Sequence, residues 1–334
     1  MIVFRGKFVI QRLKIILSIM VVSIAMRTSA IDSNSSETRG ISPYTYLFSH
    51  GIADTHKQAY RWYAKKSPVL SYPESDRYII NNEEYTLLTF DYPDAVSSSS
   101  KLVYPKIEKM SDLLNIVQHI QTFSYRVDRY NSSLAGKNEL ELLLSKHAEI
   151  GDCPVIGIGV SRGASAFITL LGLHYDKPEI QNIKALVLES PFDSMDSILR
   201  NAIGETLYQY DVARTIGHAI LKFLFAQYDK AFITPLESVA NIPQDLPIMI
   251  ICSEEDALVP AWSSEKLYTA LKDTGHTNVH CLTLKRGLHG KLMQGSEGET
   301  YRNAVHAFYQ HYNLPHNPEY AELGKETLKS VRQL

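Results

Sequence analysis

The chain has 334 residues, 45% of them hydrophobic, and a formal net charge of −2. That length supports one large α/β core, or two small ones. Lys and Arg form no long run beyond the N-terminus, so the charge pattern argues against a phosphate-backbone partner and no nucleic-acid binding is expected.

Residues 1–30 join a basic stretch, "MIVFRGKFVIQRLK", to an apolar run, "IILSIMVVSIAM", and to small residues in "RTSA". This order predicts a secretory signal peptide, hence a secreted or periplasmic protein. The apolar run is shorter than the roughly 20 residues of a membrane-spanning helix, so stable membrane anchoring is not expected. An uncleaved N-terminal anchor is the alternative. Residues 31–41, opening with "IDSNSSETRG", read as a polar linker, which leaves 42–334 as the folded domain.

From there short β-like runs alternate with helical patterns. Strands are predicted at 44–49, 85–90, 154–160, 184–190, 247–253 and 279–284. Most are apolar on both faces, as strands covered by helices on both sides are. Helices are predicted at 56–66, 110–123, 138–148, 162–174, 262–275 and 302–312. Such alternation predicts one mainly parallel sheet with right-handed crossovers. Two segments break the rhythm. Residues 92–109, with "AVSSSSK", read as an exposed loop. Residues 193–241 hold helical patterns with no strand between them, a helical cap insertion over one end of the sheet. Tyr60, Trp62 and Tyr63 of the helix over 56–66 read as core, and Leu221, Phe223, Leu224 and Phe225 of the insertion read either as core or as an acyl-binding lid.

Cys153, Cys252 and Cys281 lack metal-ligand spacing, and an odd count is no disulfide framework. They read as core thiols, with a Cys252–Cys281 bridge conceivable in an oxidising compartment. No metal and no organic cofactor is expected.

The chemistry concentrates in "GVSRG", residues 159–163, between a predicted strand and a predicted helix. Gly159 and Gly163 leave room in a strained strand-to-helix turn, and Ser161 then projects at the carboxyl end of the sheet. A serine hydroxyl is a weak nucleophile until a base takes its proton, and that base needs an orienting acid. Both follow in the chain order Ser, acid, His. The strand at 247–253 ends in "SEEDALVP", offering Glu254, Glu255 and Asp256, and the last strand ends in "RGLHG" with His289. His276 and His280 lie before or within that strand, where they could not reach its end. One donor for a developing oxyanion should be the backbone N–H of Arg162, and a second should come from the loop after the first strand, "SHGIAD".

With "SHG", "GVSRG", "ESPFDS", "SEEDALVP" and "GLHG" over roughly residues 42–314, the chain resembles an α/β-hydrolase-fold serine hydrolase. "ESPFDS" and "YDKAFITPLESVANI" are similar to the serine-aminopeptidase-like and monoacylglycerol-lipase-like branches. The resemblance implies a trimmed sheet of about six strands, because few residues precede the first one. It selects Asp256, in "DALVP", as the triad acid and Ile52 as the second oxyanion donor, with Ala53 as the near alternative. Glu189, at a strand end, is either a structural partner or a substitute acid. The implied activity is hydrolysis of a carboxylic ester through Ser161, His289 and Asp256, on a small-molecule acyl substrate. The alternatives are a small aminopeptidase-like serine peptidase and a secreted binding protein that keeps the fold without turnover. Peptidases of the prolyl-oligopeptidase type share the machinery but usually carry a large additional gating domain.

Overall fold

The computed structural model describes residues 44–52, 59, 77–80, 83–92 and 132–331. The predicted signal and linker, the helix over 110–123, all but Ala59 of the helix over 56–66 and all but Tyr92 of the loop over 92–109 lie outside the described residues, and Tyr92 is buried rather than exposed.

Among the described residues, seven strands form one sheet: β1 (Thr45–Ser49), β2 (Arg77–Ile80), β3 (Glu83–Thr89), β4 (Val155–Val160), β5 (Ile183–Glu189), β6 (Ile248–Ser253) and β7 (Val279–Leu284), in the spatial order β2-β3-β1-β4-β5-β6-β7. The six predicted strands are all present and all parallel. The seventh, β2, is a four-residue antiparallel edge strand on β3.

Alternate residues of each central strand feed two different cores. Tyr46 and Phe48 of β1, Ile156, Ile158 and Val160 of β4, Ala185 and Val187 of β5, and Met249 and Ile251 of β6 point to one face. There they meet Tyr301, Ala304 and Phe308 of α8 (Gly298–His311) and Leu328 of α9 (Pro318–Val331). Leu47, Val155, Leu186, Leu188, Ile248 and Ile250 face the other side. Their partners are Leu140 and Leu143 of α1 (Lys137–Ala148), Phe167 and Leu171 of α2 (Arg162–His174), and Leu267 and Leu271 of α7 (Ala261–Asp273). Each Val, Leu, Ile, Met or Phe side chain among them, taken wholly out of water, contributes about 1.5–3 kcal/mol. Sequestration on both faces is why these runs read as continuous apolar stretches.

Between β5 and β6 the regular elements are all helical: α3 (Met195–Ile203), α4 (Glu205–Tyr208), α5 (Asp211–Leu224), α6 (Pro235–Ser238) and a 3-10 turn over Val239–Asn241. Leu199, Leu221, Phe225 and Tyr228 of this segment pack with Leu134 and the half-buried Ile52 in a third, smaller apolar cluster. All three cysteines are free; Cys252 and Cys281 are buried, whereas Cys153 is half-buried just before β4 rather than in the core.

The chain leaves β1 for β3 on one side and then crosses back to β4 on the other. Such a switch opens a crevice at the carboxyl ends of the two strands, here where β1 runs into His50-Gly51-Ile52 and β4 into Ser161.

Candidate active site

β4 ends at Val160, and α2 begins at Arg162. Ser161 alone makes the bend, with φ 53° and ψ −113°, a conformation costly for a residue with a Cβ. The two glycines make that bend sterically possible. A Cβ on Gly159 would lie 2.7 Å from the Ala164 nitrogen, and one on Gly163 would lie 2.1 Å from the Ser49 carbonyl oxygen. The elbow is pinned by the Ser161 N–H donating to Glu189 O at 2.7 Å.

The predicted acid and base meet at this bend. His289 Nε2 lies 2.9 Å from Ser161 Oγ, and His289 Nδ1 lies 2.7 Å from Asp256 Oδ2. Asp256 is turned inward by its own loop: Leu258 N–H and Val259 N–H donate to Oδ1 at 3.0 and 2.9 Å. Ser190 Oγ donates to Oδ2 at 2.9 Å. Glu254 and Glu255, the sequence's competing acids, are exposed. The carboxylate therefore presents one oxygen to an Nδ1–H, leaving the Nε2 lone pair toward the serine. Burial opposes a charge on His289. The Asp256 charge and hydrogen bond, with the more distant Glu189, outweigh it and hold the imidazole pKa above its ordinary value.

Glu189 does not replace Asp256. Fully buried at the end of β5, it accepts from Leu292 N–H at 3.3 Å and so braces the segment just after His289. Ser190 lies in the quoted "ESPFDS" run but carries no pattern that marks it as a carboxylate donor.

At the end of β1, Gly51 O receives two side-chain groups: His50 Nδ1 at 2.7 Å and Arg162 Nη2 at 3.2 Å. The Arg162 side chain is thus buried beneath the elbow rather than projecting into solvent, and its surroundings (Glu139, Ser132 and Tyr92) were not singled out in the sequence. Ile52 and Arg162, the expected oxyanion donors, flank this contact; Ala53 lies outside the described residues. Among the described residues, no cluster of His, Cys, Asp and Glu could hold a metal ion, and no helix is long and apolar enough to cross a membrane. A serine in hydrogen-bond reach of a base that an acid orients is equipped for nucleophilic attack.

Residues 207–314 match the model of the prolyl oligopeptidase family, less than half of the chain. No curated protein matches. Among solved structures, the chain is similar to an esterase of Pyrococcus furiosus, with a TM-score of 0.49 and 16% identity over 81% of this chain and 82% of that one. A monoacylglycerol lipase of Paleococcus ferrophilus matches with a TM-score of 0.40 and 12% identity, over 86% of this chain and 94% of that one. An acylaminoacyl peptidase of Pyrococcus horikoshii matches with a TM-score of 0.41 and 16% identity, over 75% of this chain but only 34% of that longer one.

Proposed function

We propose that this chain, an α/β-hydrolase-fold serine hydrolase, cleaves carboxylic esters of small acyl substrates through Ser161, His289 and Asp256. The observation that carries the reading is the unbroken line of hydrogen bonds from Ser161 Oγ through His289 to Asp256, at 2.9 and 2.7 Å. In this reading His289 Nε2 takes the serine proton as Oγ attacks the ester carbonyl, and Asp256 stabilises the imidazolium that forms. The Ile52 and Arg162 amides receive the developing oxyanion. His289 then hands its proton to the departing alkoxide, leaving an acyl-serine, and a water activated by the same imidazole releases the acid. Export through the leading basic and apolar segment completes the reading.

The match to the prolyl oligopeptidase family favours a second reading, a small serine peptidase. One experiment separates the two. The mature protein is labelled with a fluorophosphonate and assayed on short- and long-chain aryl esters beside aminoacyl anilides. Labelling at Ser161, lost in Ser161→Ala and His289→Ala, with ester turnover dominant, is the expected result. Anilide turnover far above ester turnover transfers the assignment to the peptidase. Folded protein that takes no label is a binding protein.

A further inference from the structure

We infer that Arg162 is a positioning residue for the oxyanion hole: its guanidinium, anchored on Glu139, grips the Gly51 carbonyl and thereby aims the Ile52 amide at the oxygen of the carbonyl under attack. The inference rests on the serine-hydrolase reading above and concerns how that site is held rigid.

The argument starts from the peptide plane. No cis peptide occurs among the described residues, so the Gly51–Ile52 unit is trans and planar. Its C=O and N–H then point in opposite directions, and fixing one fixes the other. The Gly51 oxygen is held from two sides. Tyr92 N–H donates to His50 Nε2 at 3.0 Å, which leaves the ring proton on Nδ1, and Nδ1–H donates to Gly51 O at 2.7 Å. Arg162 Nη2 donates to the same oxygen at 3.2 Å. A peptide gripped this way cannot rotate its N–H off target, which is what preorganisation of an oxyanion donor requires.

The guanidinium is itself fixed. Nη1 donates to Ser132 Oγ at 3.1 Å and lies 3.6 Å from Glu139 Oε1, with both charged side chains 1% exposed. Its central carbon lies over the Tyr92 ring, 4.2 Å from the ring centre. Tyr92 OH in turn shares a 2.6 Å hydrogen bond with Ser49 Oγ, at the last residue of β1. Glu139 is filled on its other lone pairs by Ser132 Oγ at 2.6 Å, by Ser133 N–H at 3.0 Å and by the Ser133 hydroxyl. One side chain thus ties the nucleophile elbow, the end of β1, the segment after β3 and the turn before α1.

Two features point to positioning rather than to stability alone. A buried ion pair is a poor stabilising device, since apolar replacements of equal volume often do as well. And the contacts exploit what only arginine offers, a rigid planar fork with donors in several directions; a lysine ammonium could not reach Gly51 O, Ser132 and Glu139 together. The proposed hole would then have both its amides on one residue's account: Arg162 contributes its own N–H directly and orients that of Ile52 through its side chain.

The test uses the full-length mature enzyme and matched oxo- and thionoester substrates, because a thiocarbonyl sulfur is a poor acceptor for oxyanion-hole donors. In the double variant Glu139→Leu/Arg162→Met, which removes both charges together, kcat on the oxoester should fall about 10²-fold or more with KM nearly unchanged. The oxo-over-thiono preference should shrink at least ~10-fold, while the pH midpoint set by His289 stays in place. Arg162→Lys and Glu139→Gln, each milder on the fold, should lower kcat in the same direction by about 10-fold, and they decide the matter if the double variant does not fold. Folded variants with wild-type kcat and wild-type oxo/thiono preference overturn the inference. So does an equal fall on both esters, which is what a general loosening of the site would give. If instead the wild-type enzyme hydrolyses neither ester nor anilide, or Ser161→Ala keeps its turnover, the serine-hydrolase reading is what has failed, and this inference falls with it.

Discussion

Replacing Gly163 with alanine tests whether elbow and oxyanion loop form one rigid unit. The new Cβ would lie 2.1 Å from the Ser49 carbonyl oxygen, 2.5 Å from its carbon and 2.6 Å from Ser49 Oγ. None of the backbone partners can swing aside as a flexible side chain would. Ser49 is the last residue of β1 and is held in register opposite Gly159 of β4. The start of α2 must therefore move away from β1 by about an ångström before the contact becomes tolerable. Ser161 lies on one side of that gap and Gly51-Ile52 on the other, so nucleophile and oxyanion donor separate by a similar amount. A misplacement of about 1 Å costs on the order of 10²-fold in rate. The cost in stability should be about 1–3 kcal/mol, the usual penalty of overpacking. Steady-state kinetics on an aryl ester, beside urea unfolding of both proteins, measures the two effects. The lost alignment weakens the transition state and not ground-state binding, so KM should change far less than kcat. A folded Gly163→Ala enzyme with wild-type kcat would refute the claim that close backbone packing sets the distance across the site.

The remaining predictions concern charge. His289 must be neutral to accept the serine proton, and its pKa is raised, so kcat/KM should fall with decreasing pH around a midpoint above 6.5. Asp256→Asn removes the charge that raises it; the midpoint should drop and kcat should fall about 10⁴-fold, measured as a pH–rate profile. His306, fully buried between α8 and α9, accepts from Asn317 N–H at 3.0 Å. Tyr309 and Tyr320 pack on its ring, and burial followed by the charges of His316 and Arg302 lowers its pKa to about 3. Between that value and 6.5 the unfolded chain binds the extra proton and the folded one does not. Stability is therefore lost as the pH drops, by about 2 kcal/mol on going from pH 7 down to pH 5 through this group alone. His306→Asn, which keeps an acceptor for Asn317, should flatten that slope in urea titrations at the two pH values. An unchanged slope would place the acid sensitivity elsewhere.

Local patterns in the chain were enough to mark the six parallel strands, the bend at Ser161 and the loop that carries His289. Strands sandwiched between helices must be apolar on both faces, and a nucleophile on a tight strand-to-helix bend must have small neighbours; both requirements are local and leave local marks. β2, only "RYII" on a sheet edge, leaves no such mark, because an edge strand need not be sequestered on both faces. Helix α9 was also not legible: Gly324 sits where a Cβ would meet the Asn303 carbonyl oxygen of α8 at 1.9 Å, a close approach that only the partner helix explains. Three neighbouring acids in "SEEDALVP" differ little as sequence, and tertiary structure alone seats the Asp256 carboxylate on His289 while leaving Glu254 and Glu255 in solvent. Arg162 and Glu139 look like surface charges on two helices. Their meeting beneath the elbow depends on how α1 and α2 pack beside β1, a long-range relation that no local pattern of residues encodes.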